Sequence, residues 1–228
     1  MSDEEKVAYS ASKVSSLSPS EMEDQKAARK AILERVSDTQ TSEKLMDNAL
    51  HEAQMNLSES AYASLQESQQ IWLRQGRGKA INDLVRQGVP SGDAFARANS
   101  ERADWISVRT MWAMLIESPG KFGGFYRSVA DRTLEIYEME NEQLNLVVRA
   151  AKDDFVFTAT GSIQDNGAQL RSENDPNAAI RLKASESGDT IEISLEPSFG
   201  ASHAARYGML VEGQYQRVTP GELNVFAL

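Results

Sequence analysis

The chain contains no cysteine and only two histidines, His51 and His203. Without cysteine there can be no disulfide, no thiolate metal site and no cysteine nucleophile. Two isolated histidines leave no pair at metal-ligand spacing. No HExxH or comparable donor set occurs either, so neither a metal nor any other cofactor is expected. His51 lies beside Glu52 in an expected helix. His203 lies in an expected loop, where it can titrate near neutral pH. No apolar run approaches the roughly 20 residues needed to span a membrane. Residues 1–13 are polar and acidic, which is not how a secretory signal reads. A periplasmic location is therefore expected only if an export signal has been removed, and a cytoplasmic one otherwise.

Clustered basic residues are also scarce. The net charge is −10, from 24 bases against 34 acids. Through Lys152 there are 19 bases and 23 acids, and from Asp153 onward 5 bases and 11 acids. Phosphate binding needs grouped lysine and arginine, so a nucleic-acid partner is not expected. Acidity of this kind suits a basic protein partner, whose encounter it speeds, and it also serves solubility alone. Composition is otherwise that of a globular protein, 40% hydrophobic and 25% charged. The length allows one large domain or two small ones.

Residues 1–17 are serine-rich, lack apolar periodicity and read as a tail. Ser18-Pro19-Ser20-Glu21 is a helix start with a capping box. The first helix is expected to run to about Ser37, with a polar connector and a new cap at 38–42. From Glu43 the apolar positions Met46, Leu50, Ala53, Leu57, Ala61 and Leu65 recur at three- and four-residue steps and continue to Trp72, predicting one amphipathic helix. Gly76-Arg77-Gly78 predicts a break or kink, then a short helix ending at Gly88. Pro90-Ser91-Gly92-Asp93 opens another, with Trp105, Val108, Trp112 and Leu115 as its stripe, ending near Ser118. A fourth helix is expected after Gly123-Gly124, with Tyr126, Ala130, Thr133, Tyr137, Leu144 and Val148 on one side. Short connections make these helices an antiparallel bundle.

Strand composition begins at Phe155. Alternating Ile180, Leu182, Ala184 and Ile191, Ile193, Leu195 flank Ser187-Gly188-Asp189 and predict a hairpin over 179–196. Segments 209–211, 215–218 and 223–226 supply further strands. The expected fold is α+β, an N-terminal antiparallel helical bundle followed by a small antiparallel β-sheet module. The expected domains are a tail over 1–17, a helical domain over 18–152 and a β module over 153–228.

No motif carries catalytic chemistry. A GxSxG elbow is lacking. Glu138, Glu140 and Glu142 fall on an expected polar helix face, not in a cleft with split pKa values. The only basic cluster, Arg74, Arg77, Lys79 and Arg86 beside Trp72, can bind an acidic group or simply form a solvated face. Lys121-Phe122-Gly123-Gly124-Phe125-Tyr126 sets three aromatics around two glycines. It can present Phe122, Phe125 and Tyr126 to a partner or cap the core beneath. Trp105 and Arg109 stand one helical turn apart on one face, so the arginine can stack on the indole or pair with a carboxylate. With Trp72 they are expected to be structural anchors.

Gln54-Met55-Asn56, Trp105-Ile106-Ser107-Val108-Arg109 and Gly123-Gly124 together resemble the lysozyme-inhibitor-like LprI family over about residues 43–150. The family shows Glu-Met-Asn with a cysteine two residues on, and Gln-x-x-Trp-Ile-x-x-Arg-Asp-x-x-Cys. Here Ser58 and Ala113 stand at the cysteine positions, Arg102 replaces Gln and Thr110 replaces Asp. Ser68-Gln69-Gln70-Ile71-Trp72 is a second, partial match. The paired cysteine replacement fits a disulfide no longer present, so packing must supply the few kcal/mol it would contribute. The resemblance implies a non-enzymatic binding protein of the bacterial envelope whose partner is a lysozyme or another basic cell-wall hydrolase. An immunity or chaperone protein for a secreted toxin is the alternative, and an envelope hydrolase is the third reading.

Overall fold

The computed structural model describes residues 24, 27–28, 36–117, 120–139, 141–150, 155–164, 167–172, 175, 178–196, 208 and 210–220. The expected tail, most of the expected first helix, the segment 223–226 and His203 lie outside the described residues. The chain divides into two units between Met114 and Leu115, a helical one and a β one.

Helix α1 (Thr39–Asn56) starts where the Asp38 carboxylate accepts a hydrogen bond from the Thr41 N–H at 3.0 Å. The Thr41 side chain first, and this backbone bond second, hold the exposed carboxyl below its ordinary range. Leu57 and Ser58 are extended, and the Ser58 hydroxyl caps helix α2 (Glu59–Ile71) by accepting from the Ala61 N–H. The single helix expected through Trp72 is therefore two, because serine serves better as an N-cap than in a helix interior. At the break or kink expected over Gly76-Arg77-Gly78 there is a π turn, Trp72–Gly76, that runs directly into α3 (Arg77–Arg86). The Trp72 indole lies over Gly76, where a Cβ would stand 2.7 Å from Trp72 Cδ1. The helix widens here without ending. Gly88, at φ +92°, then closes α3, with the Val89 N–H bonded to the Leu84 carbonyl.

Helix α4 (Ser91–Glu117) follows Pro90, whose carbonyl accepts from the Asp93 and Ala94 N–H groups. Its buried side are chiefly small residues, Ala94, Ala96, Ala98, Ala103 and Ala113, with Ile106 among them. The residues of the expected stripe, Trp105, Val108, Trp112 and Leu115, are only half-buried.

The expected bundle with a small sheet does not form. β structure begins at Gly124, well before the expected boundary at 152–153, and closes into an antiparallel eight-stranded barrel. Its strands, in the order they occur around the barrel, are β1 (Gly124–Ser128), β2 (Arg132–Glu138), β3 (Gln143–Ala150), β4 (Phe155–Gln164), β5 (Gly167–Ser172), β6 (Ala179–Ala184), β7 (Thr190–Leu195) and β8 (Gly213–Arg217). The expected fourth helix is thus β1 to β3. The expected 179–196 hairpin is β6 and β7, with Gly188 at φ +75° in its turn. Leu210 and Val211, expected in a strand, are helical.

Inward positions alternate along every strand, and their side chains fill the interior. Leu134, Ile136, Leu144, Leu146, Val148, Phe157, Leu170, Ile180, Leu182, Ile191 and Ile193 form one cluster with Tyr126 and Tyr215. Eight strands enclose about the volume that side chains can fill, so the barrel has a packed core.

The two tyrosines occupy matched corners. Tyr126 donates to the Phe122 carbonyl at 2.7 Å and Tyr215 to the Val211 carbonyl at 2.8 Å, each four residues back. A glycine two residues before each, Gly124 at φ +155° and Gly213 at φ +136°, takes a backbone shape that side chains disfavour. The Arg217 guanidinium lies 4.9 Å from the Tyr126 ring and that of Arg132 lies 5.3 Å from the Tyr215 ring.

Two predictions follow from this packing. A Cβ at Gly161 would stand 2.0 Å from the Gln169 carbonyl oxygen and 2.7 Å from Leu170 Cα. Gly161→Ala must therefore part β4 from β5, costing about 1–3 kcal/mol in denaturant unfolding. Val129→Ala, at a fully exposed turn residue, changes stability by no more than about 0.5 kcal/mol. The second concerns alkaline pH. Burial pushes the Tyr215 phenol up to about 12 and raises that of Tyr126 as well, outweighing the arginine beside each ring, which acts in the opposite sense. A phenol whose folded pKa exceeds the unfolded value of about 10 stabilises fully below pH 10, and that contribution is lost as pH rises through about 12. In a tyrosinate absorbance titration both phenols should ionise late, together with barrel unfolding, and Tyr215→Phe should remove one late phenol.

Candidate functional site

All three tryptophans of the chain meet two arginines in the helical unit. Arg102, Trp105, Arg109 and Trp112 follow one another at steps of three, four and three residues, so α4 presents them as one ladder. The Arg102 guanidinium lies 5.5 Å from the Trp72 ring and 3.9 Å from that of Trp105. Arg109 lies 5.3 Å from the Trp105 ring and 4.1 Å from that of Trp112. Cations and indoles therefore alternate, with Trp72 reaching the inner end from its π turn.

The inner arginine is held from α2. Arg102 Nε donates to Gln69 Oε1 at 2.9 Å, and its Nη2 donates to Ser68 Oγ at 2.9 Å. Gln69 in turn places its amide against the Met46 sulfur of α1. Arg102 is 4% exposed. Burial, and secondarily the like charge of Arg109, bring its pKa down to about 10. Both acceptors are neutral, so they satisfy direction without offsetting charge. Chemically the ladder is a row of two cations between apolar ring faces, with one end buried and the other half-exposed. It suits the recognition of an anionic group, and it also locks α2 onto α4.

The structure thus brings Trp72, Trp105 and Arg109 together, as residues expected to anchor helices. Arg77 lies apart, stacked 5.0 Å from the half-buried Phe95 ring. Phe122, Phe125 and Tyr126 are 0–1% exposed, Phe122 and Tyr126 within the barrel core, so none of the three is presented to solvent. Sequence reading passed over Arg102, Ser68 and Gln69. Arg102 entered it only as a replaced glutamine, although its spacing to Trp105 already placed it on the tryptophan face.

Two acids of the β unit have structural partners. Glu138 Oε2 accepts from the Phe122 and Gly123 N–H groups, both at 3.0 Å. The buried Glu135 carboxylate accepts from Arg149 Nε at 2.9 Å and from the Tyr137 hydroxyl at 3.0 Å. Among the described residues no three metal-binding side chains converge, and no helix is long and apolar enough to cross a membrane. His51 is exposed on α1. No protein-family model matches the chain, and no match is found among curated proteins or solved structures.

Proposed function

We propose that the chain is a non-catalytic binding protein of the bacterial envelope, and that its partner is a lysozyme or another basic cell-wall hydrolase. The observation that carries this reading is the filled barrel. Side chains from all eight strands occupy its interior, which leaves its outer surface and rims for contact with a macromolecule. The charge of −10 supports a cationic partner, since opposite charge speeds encounter and suppresses wrong pairings. The resemblance of residues 54–56 and 105–109 to LprI-like proteins supports the envelope setting. Inhibition would work by occluding the partner's cleft. With the aromatic turn buried, the acidic turns of the barrel, such as that holding Glu186 and Asp189, are the contact surface.

The purified chain should slow lysis of cell-wall suspensions by a cationic lysozyme. The effect should weaken several-fold as salt rises from low to above physiological strength, because exposed charges are screened. Undiminished lysis at equimolar and at large excess chain, with no complex by size-exclusion chromatography, would remove this reading.

A further inference from the structure

The exposed face that runs from the end of α2 through the π turn and α3 is basic, in a chain that is otherwise acidic. Residues 71–87 carry four bases, Arg74, Arg77, Lys79 and Arg86, against one acid, Asp83. With 20 bases and 33 acids elsewhere, this segment is +3 and the rest of the chain −13. The Arg77 guanidinium is taken up by the Phe95 ring, and Arg86 stands 3.4 Å from Asp83. Arg74 and Lys79 are exposed, and among the described residues neither forms an ion pair or a hydrogen bond. The π turn aligns these two cations. Along an α-helix, side chains five residues apart point about 140° away from each other. Here the Arg77 N–H bonds to the Trp72 carbonyl five residues back, and the wider turn draws Arg74 and Lys79 toward one side. Burial follows the same line: Trp72 and Leu84 are buried, while Ile71, Arg74, Lys79, Asn82, Val85 and Arg86 face solvent. Ile71 and Val85 are 38% and 39% exposed. They stand at the two ends of the strip, roughly 20 Å apart at helical rise. Exposed Glu67, one turn before Ile71, bounds the strip with the opposite charge.

We propose that this strip docks an acidic amphipathic helix of a protein partner. Carboxylates of that helix pair with Arg74, Lys79 and Arg86, and its apolar side chains cover Ile71 and Val85. Charge complementarity selects the occupant. A short acidic segment confined to the strip meets the local excess of base, because charges more than about 10 Å away are screened. A surface as broad as a nucleic acid or an anionic membrane also meets the −13 of the remaining chain, which repels it. Length fits as well, since about four helical turns cover the distance between the two apolar ends. A single exposed ion pair contributes little, so affinity comes from several pairs together with the apolar ends. The strip takes acids and lies on the helical unit, whereas the proposed hydrolase contact takes bases and lies on the barrel turns. Failure of the lysis assay therefore leaves the strip standing.

The probe is a blocked, fluorescein-labelled peptide of about 18 residues, built of alanine with glutamate and leucine along one helical face. The full chain is titrated into it at low salt and fluorescence anisotropy is read. A saturable rise is expected. The same peptide with glutamine for glutamate should bind at least about tenfold more weakly. Arg74→Gln combined with Lys79→Gln should weaken the glutamate peptide about fivefold or more, with thermal unfolding unchanged because both residues are exposed. Val85→Ser should also weaken it. Arg171→Gln, at an exposed base of β5 outside the strip, should leave binding as it was. No saturable rise, equal binding of the glutamine peptide, an equal loss with Arg171→Gln, or full affinity in the folded double variant would each overturn the proposal. So would phosphatidylglycerol vesicles that bind the chain through Arg74 and Lys79 more tightly than the peptide does, which would make the strip a membrane contact.

Discussion

An antiparallel barrel has to close, and here closure rests on a short seam. β1 and β8 pair at three positions, Tyr126 with Arg217, Arg127 with Gln216 and Ser128 with Tyr215. Three pairs are few for the only join that removes both sheet edges, and the side chains around it compensate. Arg217 donates to the carbonyls of Gly188, Gly123, Gly120 and Lys121, which ties the β6–β7 turn to the segment leading into β1. Glu138 meets the same segment from the opposite sense by accepting two of its N–H groups. At the other end of the seam Arg132 donates to the Glu212 carbonyl and to Ser128 Oγ. Turn backbone that would otherwise leave polar groups exposed to an apolar core is satisfied by charged side chains of fixed direction. The glycines follow from this. A Cβ at Gly124 would stand 2.8 Å from an Arg217 nitrogen, and one at Gly213 would stand 3.0 Å from an Arg132 nitrogen.

The helical unit is built on the opposite plan. Its interior is polar where helices meet: Asn99 of α4 donates to Ser42 Oγ of α1, and Arg102 of α4 binds Ser68 and Gln69 of α2. Alanines fill much of the remaining buried face of α4. Small residues give little apolar area but allow backbones to come close, and the polar contacts then decide which turn of α4 meets which neighbour. Among the described residues Asn99 Oδ1 and Ser100 Oγ are buried without a hydrogen-bond partner, a cost that a purely apolar interface would not carry. The unit gains a defined register from these contacts and gives up part of the stability that a leucine-rich interface would supply.

These two plans explain what could be read from the chain alone. The β6–β7 hairpin was legible because its outward residues are polar and its turn carries Gly188. The ladder was half legible, since a four-residue step on a helix fixes a shared face for Trp105 and Arg109 whatever surrounds them. β1 to β3 were not legible, for two physical reasons. Their outward residues Phe125, Glu135, Tyr137 and Val147 are buried as well as the inward ones, so the two-residue alternation is lost and a helical spacing can be drawn through the remainder. Their turns also place Asp131 at φ 59° and Glu142 at φ 61°, positions where glycine would have announced a turn and these residues do not.

The average charge of the chain therefore conceals two different electrostatic surfaces. The acids of the barrel turns lie in water, where salt screens them within about 10 Å. The cations of the ladder lie against indole rings, and Arg102 is nearly out of water altogether, where screening is weak and each interaction is stronger per charge. Exposed acids act at a distance, on any charge within about a screening length. Ladder cations act only on what touches them, which for Arg102 is the indole rings and the Gln69 and Ser68 oxygens. The net charge of −10 therefore describes the long-range field of the exposed acids and not the interior of the helical unit, where one buried cation fixes how α2 meets α4.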